Sequence, residues 1–397
     1  MNTPPTAQRV VYLDSAATTP VRREVREAME PFLSEGNFGN PSSTHRLGRA
    51  AREAVEQARR RIAEVIGVEP GDVLFTSGGT EADNLAVLGT ALAARSAGRP
   101  FAVAVSAIEH KAVLASAKAV ERLGGEAIIL PVGDTGQVDL DAVGAALEQG
   151  VALLSVMWVN NEVGIVQDIP ELARRAAAAN TPFHTDAVQA LGKVPCSIAD
   201  QPISLLCLSG HKMGAPKGIG ALIARSRQML EPLLHGGGQE LGIRPGTENV
   251  PGAIGLAAAA QLAAAELDAT AVTTRQLRDE LERRLLAEVG DAQVNGAGGT
   301  RAPHVSNISI PGANSETLLM QLDLAGIACS SGAACDTGSA IPSHVLTAMG
   351  LPPELAAASV RFSFSKDNTL DDVARVVEVM PHAVERVRKL SAALEGR

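Results

Sequence analysis

The chain has 397 residues, 46% of them hydrophobic and 20% charged, so it has the composition of a globular protein long enough for one large domain and a smaller one. Thirty-five basic residues against 44 acidic ones leave a net charge of −9, which excludes a basic surface for nucleic acid backbones or anionic membranes. Aromatic residues, at 2%, are too few for a base-stacking platform.

The four cysteines, Cys196, Cys207, Cys329 and Cys335, cannot staple a chain of this size, and a reducing cytoplasm is the expected compartment. The first residues, MNTPPTAQRV, lack the basic and apolar stretches of a targeting signal, and no apolar run is expected to span a membrane.

From about residue 72 to 225 short apolar runs alternate with longer helical patterns. Strands are expected at 73–76, 101–106, 127–130, 153–157, 182–185, 205–209 and 219–224, and helices at about 81–97, 111–123, 139–148 and 170–179. This alternation predicts an α/β fold, a mostly parallel sheet covered by helices, with its ligands beyond the carboxyl ends of the strands. A Gly/Pro-rich segment at 235–252 precedes one long helical pattern at about 253–289. Strands are then expected at 305–310 and 359–364, with helices near 315–325, 343–350 and 369–392. The division predicted is a large domain of residues 21–260 and a small α+β domain of residues 1–20 and 261–397.

Thr76-Ser77-Gly78-Gly79-Thr80-Glu81 leaves a strand and opens a helix, with Thr80 as a possible cap. Free N–H groups and the positive dipole end there suit a phosphate, although an ordinary tight turn would read the same. Asp186 ends one strand, with Gln189 a turn further on, and the neighbouring strand runs into Ser209-Gly210-His211-Lys212. A carboxylate and a lysine at adjacent strand ends are what pyridoxal phosphate needs: an amine for covalent attachment and an anion to keep the pyridine nitrogen protonated. A structural Asp–Lys ion pair is the alternative. His110 ends another strand, placed either to stack on a flat ring and move protons or simply to hydrogen-bond. Asn160 and Asn161 end a fourth, as donors to a ligand or as turn formers.

Cys335 lies in a run of small residues, Cys329-Ser330-Ser331-Gly332-Ala333-Ala334-Cys335-Asp336-Thr337-Gly338, which reads as an exposed loop at about 329–342. A cysteine there is better placed to act as a nucleophile than to pack. Two cysteines in C-x₅-C spacing are weak evidence for zinc, and no metal is expected. Arg361, inside an apolar strand, needs an anion, either a substrate carboxylate or an internal acid.

Together these residues give the chain a resemblance to the cysteine desulfurases of the NifS/IscS type, members of the class-V aminotransferase fold. The resemblance runs from Tyr12-Leu13-Asp14-Ser15-Ala16-Ala17-Thr18-Thr19-Pro20 to about Phe364. It takes in Phe38-Gly39-Asn40-Pro41-Ser42-Ser43, Thr76 to Asn84, Asn160-Asn161-Glu162-Val163-Gly164, Ser209 to Lys212, His235-Gly236-Gly237-Gly238-Gln239-Glu240, Arg244-Pro245-Gly246-Thr247 and the cysteine loop. The chain departs from the common pattern at Ala333, Ile341 and Ser365-Lys366, none of which removes a group that desulfuration needs.

The resemblance implies a pyridoxal-phosphate-dependent cysteine desulfurase that converts L-cysteine to L-alanine and leaves a persulfide on Cys335. It implies that Lys212 holds the cofactor, Asp186 its ring nitrogen, Gln189 its phenolic oxygen and His110 its ring face, with His110 also able to generate a thiolate. Gly79, Thr80, Ser209 and His211 would hold the phosphate, and Asn161 and Arg361 the substrate carboxylate. Thr247 would reach the phosphate in a neighbouring subunit, which implies a homodimer with composite sites. A scaffold or carrier protein is the implied sulfur acceptor, in iron–sulfur assembly, tRNA thiolation or a specialised pathway.

Overall fold

A computed structural model of the chain describes residues 9–331 and 342–395. Within them twelve strands form: β1 (Val11–Tyr12), β2 (Val73–Thr76), β3 (Ala102–Ser106), β4 (Glu126–Leu130), β5 (Leu153–Ser155), β6 (Phe183–Asp186), β7 (Leu205–Ser209), β8 (Gly220–Ala224), β9 (Gln293–Val294), β10 (Val305–Ser309), β11 (Ile327–Ala328) and β12 (Ser359–Ser363). The main sheet has the order β2-β8-β7-β6-β5-β3-β4. The β7-β6-β5-β3-β4 ladder is parallel throughout, and β8 runs antiparallel to both of its neighbours. The expected mostly parallel α/β sheet is therefore present. Its central strands are buried on both faces, which is why they read as continuous apolar runs rather than alternating ones.

A helix with no counterpart in the expected elements, Arg46–Ile66, packs on the helix Val250–Ala265. Its buried face carries Ala51, Val55, Ala58, Ile62 and Ile66 at three- and four-residue spacing. His45 Nδ1 accepts from the Gly48 N–H at its start, and Gly67 closes it at φ 81°, a left-handed turn that glycine adopts without strain.

Two further expectations are corrected. The pattern at 253–289 is not one helix: Val250–Ala265 and Leu267–Glu288 meet at 70°. The first is buried in the core of the main sheet, whereas Leu277, Leu281 and Leu285 of the second pack with β10 and β12, so one chain direction cannot serve both cores. The helix expected at 81–97 begins at Gly79 and reaches Ser96 through a π-helical turn at Leu85–Gly89.

The β12-β10-β9 sheet and the β1-β11 pair share a second core with the helices Leu267–Glu288, Ser315–Leu324 and Leu370–Glu395. Chain from residues 11–13 and from 277–387 supplies that core. Among the described residues no single helix is long and apolar enough to cross a membrane.

Candidate active site

The parallel strands deliver their carboxyl ends to one rim of the main sheet, and a cavity of about 500 Å³ lies there. Thr80 and the glycines after β2, His110 after β3, Met157 and Asn161 after β5, Asp186 at the end of β6, and Ser209, His211 and Lys212 from β7 all line it. Ala16, Ala17, Ser330 and Arg361 close it from the side of the second core. A smaller cavity of about 310 Å³ also reaches Lys212, but neither Asp186 nor His110 lines it.

Lys212 lies in the short turn after β7. Its Nζ donates to the carbonyls of Ala16 and Ala17, both at 2.7 Å. Burial and the Arg361 guanidinium hold its ammonium down to about 8. A lysine in this state yields a neutral amine far more readily than an exposed one.

Asp186 is almost fully buried, and its Oδ1 accepts from the Val188 N–H at 2.8 Å. Burial raises its carboxyl, while His110, the Val188 N–H and Lys212 pull it back. His110 caps the helix Lys111–Arg122 by accepting the Ala112 N–H on Nδ1 at 3.1 Å, so the remaining ring nitrogen carries its proton when the ring is neutral. Burial lowers its basicity, against the pull of Asp186.

The turn after β2 packs closely. A Cβ on Gly79 would stand 3.0 Å from Val188 Cγ2 and 3.3 Å from Ser209 Cβ. Gly220 of β8 lies against Gly78, and a Cβ on Gly220 would meet the Gly78 backbone at 2.7 Å. Glu81 fastens the turn by accepting from the Ser77 N–H at 2.7 Å and from Arg244 Nε at 2.7 Å. Thr80 does not cap the helix: Gly78 is its N-cap residue and Thr80, inside the first turn, is exposed.

Arg361 has an internal acid after all. Its Nη2 donates to Asp14 Oδ1 at 2.6 Å and its Nη1 to the Asn161 carbonyl at 3.0 Å, while Nε, also buried, has no hydrogen-bond partner. The two asparagines divide their work. Asn160 is consumed by the turn, donating to the Ile108 carbonyl and accepting from Glu162 and Val163, whereas Asn161 faces the cavity.

Gln189 donates to the Ala16 carbonyl and accepts from Lys193, each at 2.8 Å. His211, which burial and Lys212 hold down to about 4, is neutral near pH 7 and lies 3.1 Å from Thr18 Oγ1.

The structure thus brings together Lys212, Asp186, Gln189, His110, Gly79, Thr80, Ser209, His211, Asn161 and Arg361. Thr247 is exposed and does not line the cavity. Cys335 lies outside the described residues. Sequence reasoning gave no role to Asp14 or Asp83, which touch the ion pair and the cavity respectively. The charge of Arg361 already demanded an anion, but nothing in the spacing pointed across 347 residues to Asp14.

The family model for class-V aminotransferases matches residues 11–376. Cysteine desulfurase IscS of Dictyoglomus turgidum is 43% identical over 384 residues, 97% of each chain. Among solved structures, a NifS-like protein superimposes with a TM-score of 0.86 at 34% identity, covering 97% of this chain and all of the other. SspA in complex with cysteine superimposes with a TM-score of 0.78 at 33% identity over 90% of this chain and 99% of the other.

Proposed function

The chain belongs to the class-V aminotransferase family, within which it is a cysteine desulfurase, and from that premise we propose how its residues divide the work on L-cysteine. The observation that carries the assignment is that Asp186, at the end of β6, and Lys212, in the turn after the adjacent β7, face one cavity together with His110 and Arg361.

Pyridoxal phosphate fits that cavity. An amine hydrogen-bonded to the Ala16 and Ala17 carbonyls stands at one side, a buried carboxylate at the other, and a closely packed glycine turn at the end of β2. When bound, the cofactor supplies a ring that withdraws electrons from the substrate α-carbon. Lys212 would hold it covalently, Asp186 would pair with its ring nitrogen, His110 would stack on its ring and Gln189 would contact its phenolic oxygen. Gly79, Thr80, Ser209 and His211 take the phosphate.

Arg361 and Asn161 hold the substrate α-carboxylate. The guanidinium has an unused Nε, and Asp14 keeps it in place before substrate arrives. The Lys212 amine takes the proton from the α-carbon, a task that suits an amine held to about 8. The Cys335 thiolate then attacks the substrate sulfur. The S–S bond forms as the Cβ–S bond breaks, and its electron pair stays with the carbon skeleton. Protonation of that skeleton gives L-alanine, and Cys335 keeps the persulfide.

Ser330 lines the cavity and exchanges backbone hydrogen bonds with Arg361. Cys335 follows it by five residues, a reach of at most about 17 Å of extended chain, enough to enter the cavity from its rim. An acceptor thiol, on a scaffold or carrier protein, takes the sulfur from there.

The two cores support a division at about residue 260, with residues 1–20 joined to 261–397. The exposed Thr247 supports a homodimer in which it reaches a neighbouring phosphate. The free thiols at Cys196, Cys207 and Cys329 suit a reducing cytoplasm.

The test is mass spectrometry of the Cys335 peptide after a single turnover with L-cysteine under anaerobic conditions. One added sulfur on Cys335 is expected. An unmodified Cys335 beside accumulated alanine would overturn the assignment of the nucleophile.

A further inference from the structure

Beside Asp186, at the edge of the same cavity, lies a second buried carboxylate. Asp83, on the helix that starts at Gly79, is 1% exposed. One of its oxygens lies within 4.8 Å of ligand atoms on both Asp186 and His110.

The surroundings of the two acids differ. Asp186 receives the Val188 N–H and faces His110, Lys212 and Lys193. Asp83 Oδ1 has no hydrogen-bond partner, and the nearest basic nitrogen is His184 Nε2 at 3.8 Å. His184 is itself neutral, because burial holds it down to about 3.

Hydrogen bonds lead toward Asp83 through neutral groups. Ser155 Oγ lies 2.8 Å from His184 Nδ1, and His184 Nε2 lies 3.1 Å from Cys207 Sγ. Cys207 Sγ in turn lies within 4.8 Å of an Asp83 carboxyl oxygen. The consistent assignment has the Ser155 O–H donating to Nδ1 and Nε2–H donating to sulfur, which leaves the weak S–H, and no stronger donor, on the side of Asp83. The remaining titratable neighbour, Glu109, is a buried acid with one unpartnered oxygen. Among the described residues no lysine or arginine pairs with Asp83.

Two carboxylates this close in a dry interior do not both ionise, and the charge settles on the one with the better donors and cations. We propose that Asp83 is the neutral, proton-bearing half of a two-carboxylate pair whose anionic half is Asp186. The proposal rests on the assignment of Asp186 to the ring nitrogen. Asp83 thereby gives Asp186 a polar neighbour without a competing negative charge, and leaves Asp186 free to hold a positive ring.

Infrared difference spectroscopy of the cofactor-free protein near pH 7 tests the charge state, through the carbonyl-stretch band of protonated carboxyls. Asp83→Asn should remove part of that band, and Glu109→Gln another part. Asp83→Asn holoprotein should then keep the pH midpoint of its cofactor absorption within about 0.3 unit and kcat within about threefold, since an amide replaces a neutral acid.

A band unchanged by Asp83→Asn, with a midpoint moved by about one unit or more, would show an ionised Asp83 and overturn the proposal. Asp186→Asn serves as the reference: a midpoint unmoved there would strike the assignment of Asp186 to the ring instead. Should Asp83→Asn fail to fold, the Glu109→Gln protein decides. A protonated band that remains in it and vanishes in the Glu109→Gln/Asp83→Ser double variant supports the proposal, and no remaining band overturns it.

Discussion

Lys212 shows how much of a reactive side chain's character comes from its neighbours. In water its amine would titrate near 10.4, so that well under about 1% is neutral at pH 7. Held to about 8 by burial and by Arg361, roughly one-tenth is neutral at that pH. The neutral amine is the nucleophile. Capture of pyridoxal phosphate by the cofactor-free protein should therefore quicken as pH rises from 6 and level off above about pH 8, which stopped-flow absorbance would follow. A rate still climbing steeply at pH 10 would contradict it.

Arg361→Lys tests the other end of the site. A lysine keeps the charge but loses the planar fork, so KM for L-cysteine should rise by about 10-fold or more with a smaller change in kcat. Steady-state alanine production reads both. Lys212, Asp186 and His110 were legible in the sequence because each terminates an apolar run, where a polar residue has no packing purpose. Asp83 was not, because a polar residue one turn into a helix is ordinarily solvated, and only the tertiary fold buries this one.

At the level of elements, the turn after β2 depends on an absence of side-chain atoms. Gly79→Ala would press its methyl group on Val188 and Ser209, contacts that can relax by a few tenths of an ångström only by moving the site. Cofactor affinity should fall about 10-fold while thermal stability changes little, as fluorescence titration with pyridoxal phosphate and a melting curve would show.

The helix Arg46–Ile66 has the opposite role, all packing and no chemistry. Ile62, fully buried in it, should cost about 2–5 kcal/mol of stability on substitution by alanine, measured by denaturant unfolding. Its apolar spacing was present in the sequence all along. The eye passes over it because charged residues fill the exposed face and alanines much of the buried one. The bend at Glu266 was less legible, since nothing in an Ala-rich pattern marks where a helix leaves one core for another.

At the scale of the whole molecule, the fold sets two cores side by side and puts the site between them. Asp14 and Arg361 come from the second core, Asp186 and Lys212 from the sheet of the first. Short motifs sufficed to read this architecture, because Lys212, Asp186 and His110 follow or end strands that are strongly apolar. What crosses between copies of the chain is not written in local pattern. In the proposed homodimer the exposed Thr247 would reach the neighbouring site, and light scattering at assay concentration should then find twice the chain mass.

The most direct measurement adds L-cysteine and a reductant to the purified, cofactor-loaded protein and assays alanine and sulfide from the same reaction. Equal amounts of both, lost together in Lys212→Ala, are predicted. A protein that binds pyridoxal phosphate yet forms neither product, or forms alanine unchanged without Lys212, would contradict the account.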